Sequence, residues 1–225
     1  MYELKNIKVA VDGPAGAGKS SVSRCVAKKL GLVYVDTGAM YRACAVYALE
    51  NGIDINEKDI TPHLDEINID IDYNENGQQI FLNGRNVSQR IREADATAGS
   101  SAIAVIPSVR LKLVELQRKI AQNKSVIMDG RDIGTYVLPD ADVKIFLTAS
   151  VEERAKRRYA EMLEKGMECD IEMVERDIAA RDKNDSQRKF APLKRAHDAV
   201  LVDTSDMDFE QVCAKLYEII KSKVS

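Results

Sequence analysis

The stretch Val11-Asp12-Gly13-Pro14-Ala15-Gly16-Ala17-Gly18-Lys19-Ser20-Ser21 decides the fold. It follows the short apolar run Lys8–Val11 and precedes Ser21–Leu30, which has the apolar spacing of an amphipathic helix. The pattern Gly-x-x-x-x-Gly-Lys-Ser between a strand and a helix is typical of loops that bind the phosphates of a nucleoside triphosphate. Small residues let main-chain N–H groups reach phosphate oxygens, and the helix N-terminus adds its positive end.

Two side chains at the end of this loop carry the chemistry. We expect Lys19 to reach the outer phosphates and the Ser20 hydroxyl to complete the shell of a Mg²⁺ ion. A chance glycine-rich turn would need neither the strand before it nor the helix after it. The motif predicts triphosphate binding but leaves open whether the protein is a hydrolysing switch or a kinase.

The composition is that of an ordered globular protein. The chain has 225 residues, of which 45% are hydrophobic and 31% charged, enough for one compact domain with a smaller insert. A net charge of −3 gives no overall basic field for nucleic acid, so a polyanion must bind at a local site. The four cysteines are well separated and are expected to be reduced thiols, and His63 and His197 are too isolated for a zinc site.

The sequence shows no signal peptide and no apolar run near ~18 residues, so we expect a cytoplasmic protein with no membrane segment.

Short Val- and Ile-rich runs predict a sheet that is buried on both faces. They show little alternation, which favours parallel strands covered by helices. The runs are Lys8–Val11, Val33–Val35, Ser125–Met128, Lys144–Leu147 and Ala199–Val202. The predicted fold class is therefore α/β, with a five-stranded parallel sheet flanked by helices as in P-loop proteins.

An aspartate follows or ends four of these runs. Ligands gather at the carboxyl ends of parallel strands, so Asp12, Asp36 and Asp129 are candidates for one rim. For Asp203 a turn or capping role is the favoured interpretation.

Helical periodicity occupies much of the chain between the strands. The predicted helices are Ser21–Leu30, Met40–Glu50, Val109–Gln122, Val151–Glu164 and a last helix from Phe209 to Ile220 with Asp208 as its N-cap.

The segment Ile67–Val87 breaks this rhythm. Its apolar residues alternate with polar ones, and Asn76-Gly77 and Asn83-Gly84 are signals for type I′ hairpins. We expect a small three-stranded antiparallel insert.

A kinase needs a second anion site, and the sequence supplies arginines for one. Arg42 lies one turn into the helix that begins near Thr37, Arg131 lies between two acids after a strand, and Arg181 and Arg188 bracket a polar run. Arginine binds phosphate bidentately, and phosphoryl transfer depends on positioning and neutralising charge. A guanine-reading Asn-Lys-x-Asp motif and an Asp-x-x-Gly switch motif are absent from the sequence, which favours a kinase over a GTPase.

Three further arginines, Arg154, Arg157 and Arg158, share one predicted helix. They either belong to the phosphate site or form a solvated face that pairs with neighbouring glutamates; both interpretations stay open. The stretch Met162–Cys169 could be a mobile lid that excludes water.

Taken together, these motifs resemble the bacterial cytidylate kinases, nucleoside monophosphate kinases that phosphorylate CMP and dCMP from ATP. The resemblance covers essentially the whole chain. It rests on the order and spacing of AVDGPAGAGKS, VDTGAMYR, VSQRIR with SSAIAVIPSVR, DGRDIGT, PDADVKIFLTAS, EERAKRR and RDKNDSQR with APL. It implies a parallel core, an enlarged monophosphate-binding part and a short lid.

The resemblance also implies a role for individual residues. The ATP site comprises Asp12, Gly13, Pro14, Ala15, Gly16, Ala17, Gly18, Lys19, Ser20 and Ser21, with Arg157 and Arg158 from the lid. The CMP site comprises Ala15, Asp36, Thr37, Arg42, Ser101, Arg110, Asp129, Arg131, Asp132, Arg181, Asp185 and Arg188. Among these, Lys19, Arg131 and Arg181 are the predicted catalytic residues, and Ser101, Arg110 and Asp132 the cytosine contacts.

Without the resemblance, Ser101 reads as an ordinary helix residue and Arg110 as a surface charge. Two departures from the family are mild: Ala15 stands where some members carry serine, and Ser20 where some relatives have glycine. Ala15 thereby removes one hydroxyl contact to the acceptor.

We expect a single domain with a core (about 1–36, 105–153 and 190–225), a monophosphate-binding part (about 37–104) and a lid (about 154–189). The expected substrates are ATP, CMP and dCMP with Mg²⁺, and a monomer that binds neither nucleic acid nor membrane. A kinase for UMP or AMP and an ATP-binding regulatory module without an acceptor remain the alternatives.

Overall fold

The computed structural model describes residues 6–75, 77–164 and 166–224. The strands in chain order are β1 (Lys8–Asp12), β2 (Val33–Asp36), β3 (Ile69–Asn74), β4 (Gly77–Leu82), β5 (Arg85–Asn86), β6 (Val126–Gly130), β7 (Val143–Thr148) and β8 (Val200–Asp203). The α-helices are α1 (Lys19–Leu30), α2 (Thr37–Glu50), α3 (Glu57–Ile60), α4 (Ala94–Ile103), α5 (Pro107–Gln122), α6 (Val151–Glu164), α7 (Ile171–Gln187) and α8 (Phe209–Val224). Short 3₁₀ or π turns lie at Thr61–Glu66, Arg90–Arg92 and Ile133–Val137.

The described residues form two compact units. Those up to Tyr34 and from Asn123 onward make the first unit, and Val35–Gln122 make the second. The predicted division into core, monophosphate-binding part and lid uses other bounds and stays a prediction.

A five-stranded parallel sheet has the order β2-β6-β1-β7-β8. All five predicted strands are confirmed, with ends that differ by one or two residues. Strand β1 lies at the centre, where Val9 faces Ile127 of β6 and Val143 of β7. The loop that follows β1 therefore leaves the middle of the sheet, where ligands of parallel sheets gather.

The strands of this sheet are buried because helices cover them. Val9, Val11 and Ile127 are fully enclosed, and α1 and α8 add Val22 and Leu216 to the same apolar cluster. Strands buried on both faces need no alternation, which explains the continuous apolar runs in the sequence.

The last helix, α8, begins as predicted. The Asp208 carboxylate accepts a hydrogen bond from the Gln211 main-chain N–H at 2.8 Å, and the Gln211 side chain accepts one from the Asp208 N–H at 3.0 Å. This reciprocal capping box satisfies two amides at the helix start.

In the second unit, α2 is buried along most of its length and packs against α4. The two helices approach closely because α4 is built from small residues: a Cβ added to Gly99 would lie 3.0 Å from the Cβ of Ala45.

The antiparallel insert is confirmed as the three-stranded sheet β3-β4-β5. Ile69 pairs with Leu82 and Ile71 with Ile80, which puts the alternating apolar residues on one face. Asn83 and Gly84 have φ of 50° and 79°, the positive pair that a type I′ turn requires. Of the other predicted turn, Gly77 already belongs to β4 and Asn76 lies outside the described residues.

Two long helices, α4 and α7, were not predicted from periodicity. In α4 the residues that face the core are mostly Ala, Gly and Ser, which carry little hydrophobic signal. In α7 only Val174 and Ile178 are buried among many charged residues. None of the described helices is long and apolar enough to cross a membrane.

Candidate active site

The loop after β1 has the backbone of a phosphate-binding loop. Gly13, Gly16 and Gly18 all have positive φ, at 154°, 73° and 81°. At Gly13 a side chain is sterically excluded, because an added Cβ would lie 1.9 Å from the main-chain oxygen of Leu147 in β7. The glycines are therefore needed for the path of the chain, and not only for access of a ligand.

The N-terminus of α1 is open to an anion. Gly18 caps the helix without a side-chain hydrogen bond, and the first turn, all of which the structure describes, carries no acidic residue. The first main-chain N–H groups and the positive end of the helix dipole are thus available to phosphate.

Lys19 lies at the centre of a crowded set of charges. Its side chain is 6% exposed, and its Nζ donates to the main-chain oxygen of Pro14 at 2.7 Å. Burial and the charge of Arg131 lower the pKa of Lys19 to about 7; Arg181 adds to this shift, while Asp129 and Asp12 oppose it. A bound polyphosphate would stabilise the charged lysine, so the free site favours an anionic ligand.

Asp129 lies against the phosphate loop. Its two carboxylate oxygens accept hydrogen bonds from the Ser20 hydroxyl at 2.7 Å and the Tyr34 hydroxyl at 3.0 Å. A loop serine beside an aspartate at the end of a neighbouring strand is the arrangement that holds Mg²⁺ in P-loop proteins. Within the described chain, no group of three or more His, Cys, Asp or Glu side chains could hold a metal ion.

Asp12 holds the segment that follows β6. Its buried carboxylate accepts the main-chain N–H groups of Ile133 and Gly134, both at 2.7 Å. Burial raises the pKa of Asp12 to about 7, against the effect of these two hydrogen bonds. Asp12 is thus occupied in shaping the segment that carries Arg131 and the buried Asp132.

Asp185 of α7 binds Arg131, and Arg188, which follows α7, lies near the same carboxylate. The Arg131 Nε donates to the Asp185 carboxylate at 2.7 Å, and Arg188 Nη1 lies 3.9 Å from the other oxygen. Burial alone would raise the pKa of Asp185, but the charge and hydrogen bond of Arg131, with Arg188 and Arg181, hold it below its usual value. Asp182, on the same helix, accepts a hydrogen bond from the Ala15 N–H at 3.3 Å, which places this cluster next to the phosphate loop.

The three arginines of α6 have three different environments. Arg154 is buried and bonds to the main chain of the phosphate loop. Arg157 donates to the hydroxyl and the main-chain oxygen of Thr204, after β8, at 3.1 and 2.6 Å. Arg158 is exposed and pairs with Glu161 at 3.4 Å. Arg154 thus lies at the loop, and the roles of Arg157 and Arg158 in an ATP site stay predictions. The predicted lid, Met162–Cys169, includes Lys165, which lies outside the described residues.

In the second unit, Asp36 organises the start of α2. Its carboxylate accepts from the Ala39 N–H and from Arg42 Nη2, both at 3.0 Å, while its own N–H donates to Gln78 of β4 at 2.8 Å. Gly38 makes this possible, because an added Cβ would lie 3.1 Å from Asp36 Oδ1 and 3.3 Å from Arg42 Nη1. Thr37 is buried beside them.

Arg110 is not a surface charge, so the interpretation from its pattern alone is wrong. It is 1% exposed, donates to the main-chain oxygen of Ala104 at 2.9 Å and lies 5.6 Å from the ring centre of Tyr41. The signal that could have found it is its position on the buried stripe of α5, one turn before Leu113. Ser101 lies exposed in α4, as a helix residue.

Sequence reasoning missed partners that only the fold brings together. Tyr34 on Asp129 and Gln78 on Asp36 had no motif to mark them, and Asp182 lies in RDKNDSQR but had no predicted contact with the phosphate loop. Each contact joins residues more than 40 positions apart.

The chain matches known proteins over nearly its whole length. The sequence model of the family described as cytidylate kinase matches residues 9–222. A protein named cytidylate kinase from Oceanobacillus iheyensis is 51% identical over 209 residues, covering 92% of this chain and 91% of its own. Another of the same name, from Leuconostoc mesenteroides subsp. mesenteroides, is 50% identical over 223 residues, covering 99% and 100%.

A solved structure supports the fold alone. It is described as an uncharacterized protein from Eubacterium ventriosum, and it matches with a TM-score of 0.54 at 16% identity, over 97% of this chain and 99% of its own.

Proposed function

Because the chain belongs to the cytidylate kinase family, we propose that it transfers the γ-phosphoryl group of ATP to the 5′-phosphate of CMP or dCMP. The products are ADP and CDP or dCDP. ATP is the co-substrate that a kinase of this family implies. The observation that carries the proposal is the burial of Lys19 at the end of a glycine loop, where the charges of Arg131 and Arg181 act on it.

The donor side of the reaction rests on the phosphate loop. Main-chain N–H groups of residues 16–18 and the N-terminus of α1 bind the β- and γ-phosphates, and Lys19 neutralises the charge that moves between donor and acceptor. Since these donors are already oriented, they need no rearrangement when charge shifts in the transition state.

Mg²⁺ fits the oxygen set beside the loop. The Ser20 hydroxyl and the Asp129 carboxylate lie 2.7 Å apart and offer the hard oxygen ligands that this ion prefers. Ser20 would hold the ion directly, and Asp129 through water, with phosphate oxygens completing the shell. The ion would neutralise charge on the β- and γ-phosphates.

The acceptor side uses side chains. Arg42, which is oriented by Asp36 and lies near Thr37, binds the CMP phosphate. The polar edge of cytosine is bound by Ser101, Arg110 and Asp132. Arg131 and Arg181 stabilise the transferring group, and Asp185 and Arg188 contact the acceptor nucleotide. No strong base is required, because the acceptor oxygen is already anionic at neutral pH.

Three finer features belong to the same proposal: the protein acts as a monomer, it works in the cytoplasm, and it binds no nucleic acid. The net charge of −3 supports the last of these.

A coupled ADP-release assay across CMP, dCMP, UMP, AMP and GMP tests the function. We expect CMP and dCMP to be preferred by orders of magnitude, because a pocket that hydrogen-bonds a base rejects one that leaves its groups unpaired by roughly 10⁴ or more. The Lys19→Met variant, purified in parallel, excludes a contaminating kinase. A preference for UMP or AMP, or ATP binding without any acceptor, would contradict the proposal.

A further inference from the structure

One ion pair holds Ala15 of the phosphate loop on both sides of its main chain. The Ala15 oxygen accepts a hydrogen bond from Arg154 Nη1 at 2.9 Å, and the Ala15 N–H donates to Asp182 Oδ1 at 3.3 Å. The two side chains also bind each other, with Arg154 Nη1 and Asp182 Oδ2 2.6 Å apart. We call this arrangement the Ala15 clamp.

Arg154 is a rigid part of the clamp. It is 4% exposed and lies in the first turn of α6, directly after β7. Its Nε donates to the main-chain oxygen of Ala149 at 2.9 Å, which orients the guanidinium plane. Its Cβ also packs beneath the loop, because a Cβ added to Gly16 would lie 3.3 Å away.

Asp182 brings a second element to the loop. It lies on α7, next to Arg181 and one turn before Asp185. Arg181 acts on the charge of Lys19, and Asp185 binds Arg131 at 2.7 Å. The helix that supplies these groups is therefore connected to the donor loop at Ala15.

We propose that Arg154 and Asp182 are positioning residues that lock the Ala15 peptide and set α7, with Arg181, in register with the phosphate loop. This inference rests on the proposed function. The pair touches no predicted reacting atom, and its charges cancel, so it orders the loop without adding positive charge beside Lys19.

The physical reason is the precision that phosphoryl transfer requires. The loop binds phosphate through main-chain N–H groups, whose directions depend on each peptide plane, and a displacement of about 1 Å can reduce the rate about 100-fold. Removing one member of a buried pair also leaves the other charge without its partner. Both effects are expected to disturb ATP binding.

Two variants test the clamp, with titration of MgATP by calorimetry and steady-state kinetics as readouts. Asp182→Asn keeps the shape of the side chain and removes its charge. Arg154→Lys keeps the charge and removes the forked contact to Ala15 and Ala149. We expect each to lower kcat/KM for ATP by about 10- to 100-fold and to weaken ATP binding. The double variant should lose much less than the product of the single losses, because the two residues act as one unit.

A matched control comes from the second unit. Arg90 binds the Asp95 carboxylate through two hydrogen bonds of 2.7 Å, outside the predicted site. Arg90→Lys and Asp95→Asn make the same chemical changes in an ion pair with a half-exposed carboxylate, and should alter kcat/KM less than about twofold. Melting temperatures of all four single variants separate positioning from loss of stability.

The proposal is wrong if both clamp variants bind ATP and turn over like the wild type. It is also wrong if the loss of activity in the clamp variants follows the loss of melting temperature in the same proportion as in the control variants. Should the wild type bind ATP yet phosphorylate no monophosphate, the proposed function fails, while the ATP titration still decides the clamp.

Discussion

Lys19 in the first unit and Arg42 in the second have different surroundings. In the first, burial, together with the charge of Arg131, lowers the pKa of Lys19 at the end of the phosphate loop to about 7. In the second, Arg42 already binds the Asp36 carboxylate, and Arg110 donates to a main-chain oxygen beneath Tyr41. A bound anion is expected to restore the charge of Lys19, whereas Arg42 and Arg110 are already oriented by protein partners.

This difference has a chemical consequence. We expect a buried lysine with a lowered pKa to gain most from the most highly charged ligand, a triphosphate. We expect Arg42, which is held by a carboxylate, to bind a monophosphate by exchange of one anion for another, with less gain in charge but more control of direction.

The largest expected effect is on kcat, after removal of Arg131. It tests whether Arg131 stabilises the transferring phosphoryl group in the transition state and not only the bound substrates. Arg131→Ala should lower kcat about 10³-fold, the range measured when an arginine that stabilises transferring phosphate is lost. Its removal also leaves Asp185 without its 2.7 Å partner. The measurement is steady-state kinetics at saturating ATP and CMP.

Arg176→Ala is the control for this prediction, since Arg176 is an exposed arginine on α7 outside the predicted site. A loss of less than tenfold in kcat for Arg131→Ala would remove Arg131 from the transition state.

The second unit should respond in KM instead. Arg42→Ala is expected to raise the KM for CMP about 10- to 100-fold, since a hydrogen bond to a charged group contributes roughly 1.5–3 kcal/mol. The KM for ATP should stay unchanged, because the predicted ATP ligands belong to the first unit. Arg85→Ala, at an exposed arginine of the second unit paired with Glu50, is the control. A parallel rise in both KM values would contradict the separation.

Proton uptake tests the charge balance around Lys19. Phosphates should raise its pKa from about 7 in the free protein toward the ordinary 10.5. MgATP binding at pH 8 should therefore take up most of one proton, and at pH 6, where Lys19 is charged in both states, this uptake should vanish. Calorimetry in buffers of different ionisation enthalpy measures it, and the difference from Lys19→Met isolates the lysine. Equal uptake in both proteins would assign the proton elsewhere.

The same lowered pKa has a consequence for stability. Between about pH 7 and 10.5 the unfolded chain holds a proton that folded Lys19 has lost. The free energy of unfolding therefore increases as pH rises from about 7 to 10.5. This gain is fully present above pH 10.5 and is lost again as pH falls through 7.

The smallest expected effect is that of a substitution at Gly38. In Gly38→Ala the new Cβ would lie 3.1 Å from Asp36 Oδ1 and 3.3 Å from Arg42 Nη1. We expect the KM for CMP to rise about two- to fivefold, from a slight displacement of Arg42. The melting temperature should not fall, because alanine favours a helix over glycine by up to about 1 kcal/mol.

Gly13→Ala is the contrasting variant. Its Cβ would lie 1.9 Å from a main-chain oxygen at φ 154°, so it should lower both activity and melting temperature. If Gly38→Ala destabilised the protein as much as Gly13→Ala, the role of Gly38 would be in packing. It would not be to leave space for the contact between Asp36 and Arg42.

Much of the fold could be predicted because its signals are local. Gly13, Gly18, Lys19 and Ser20 lie within eight residues, so their spacing alone identifies the loop. The Asn83-Gly84 turn and the Asp208 cap are likewise decided by neighbours in sequence. The helices α4 and α7 could not be predicted, because small or charged residues carry little apolar periodicity.

The sequence by itself determined the phosphate loop, the parallel strands, the antiparallel insert and, through the resemblance, the family. Only the tertiary structure decided that Asp129 meets Ser20, that Arg110 is buried, and that Arg154 and Asp182 bind the two sides of Ala15, 139 and 167 residues away. The physical reason is the range of the interactions. Backbone preferences and burial patterns depend on residues that are near in sequence. Ion pairs and hydrogen bonds to carboxylates join groups that are distant in sequence and that only the packed chain brings within a few ångströms.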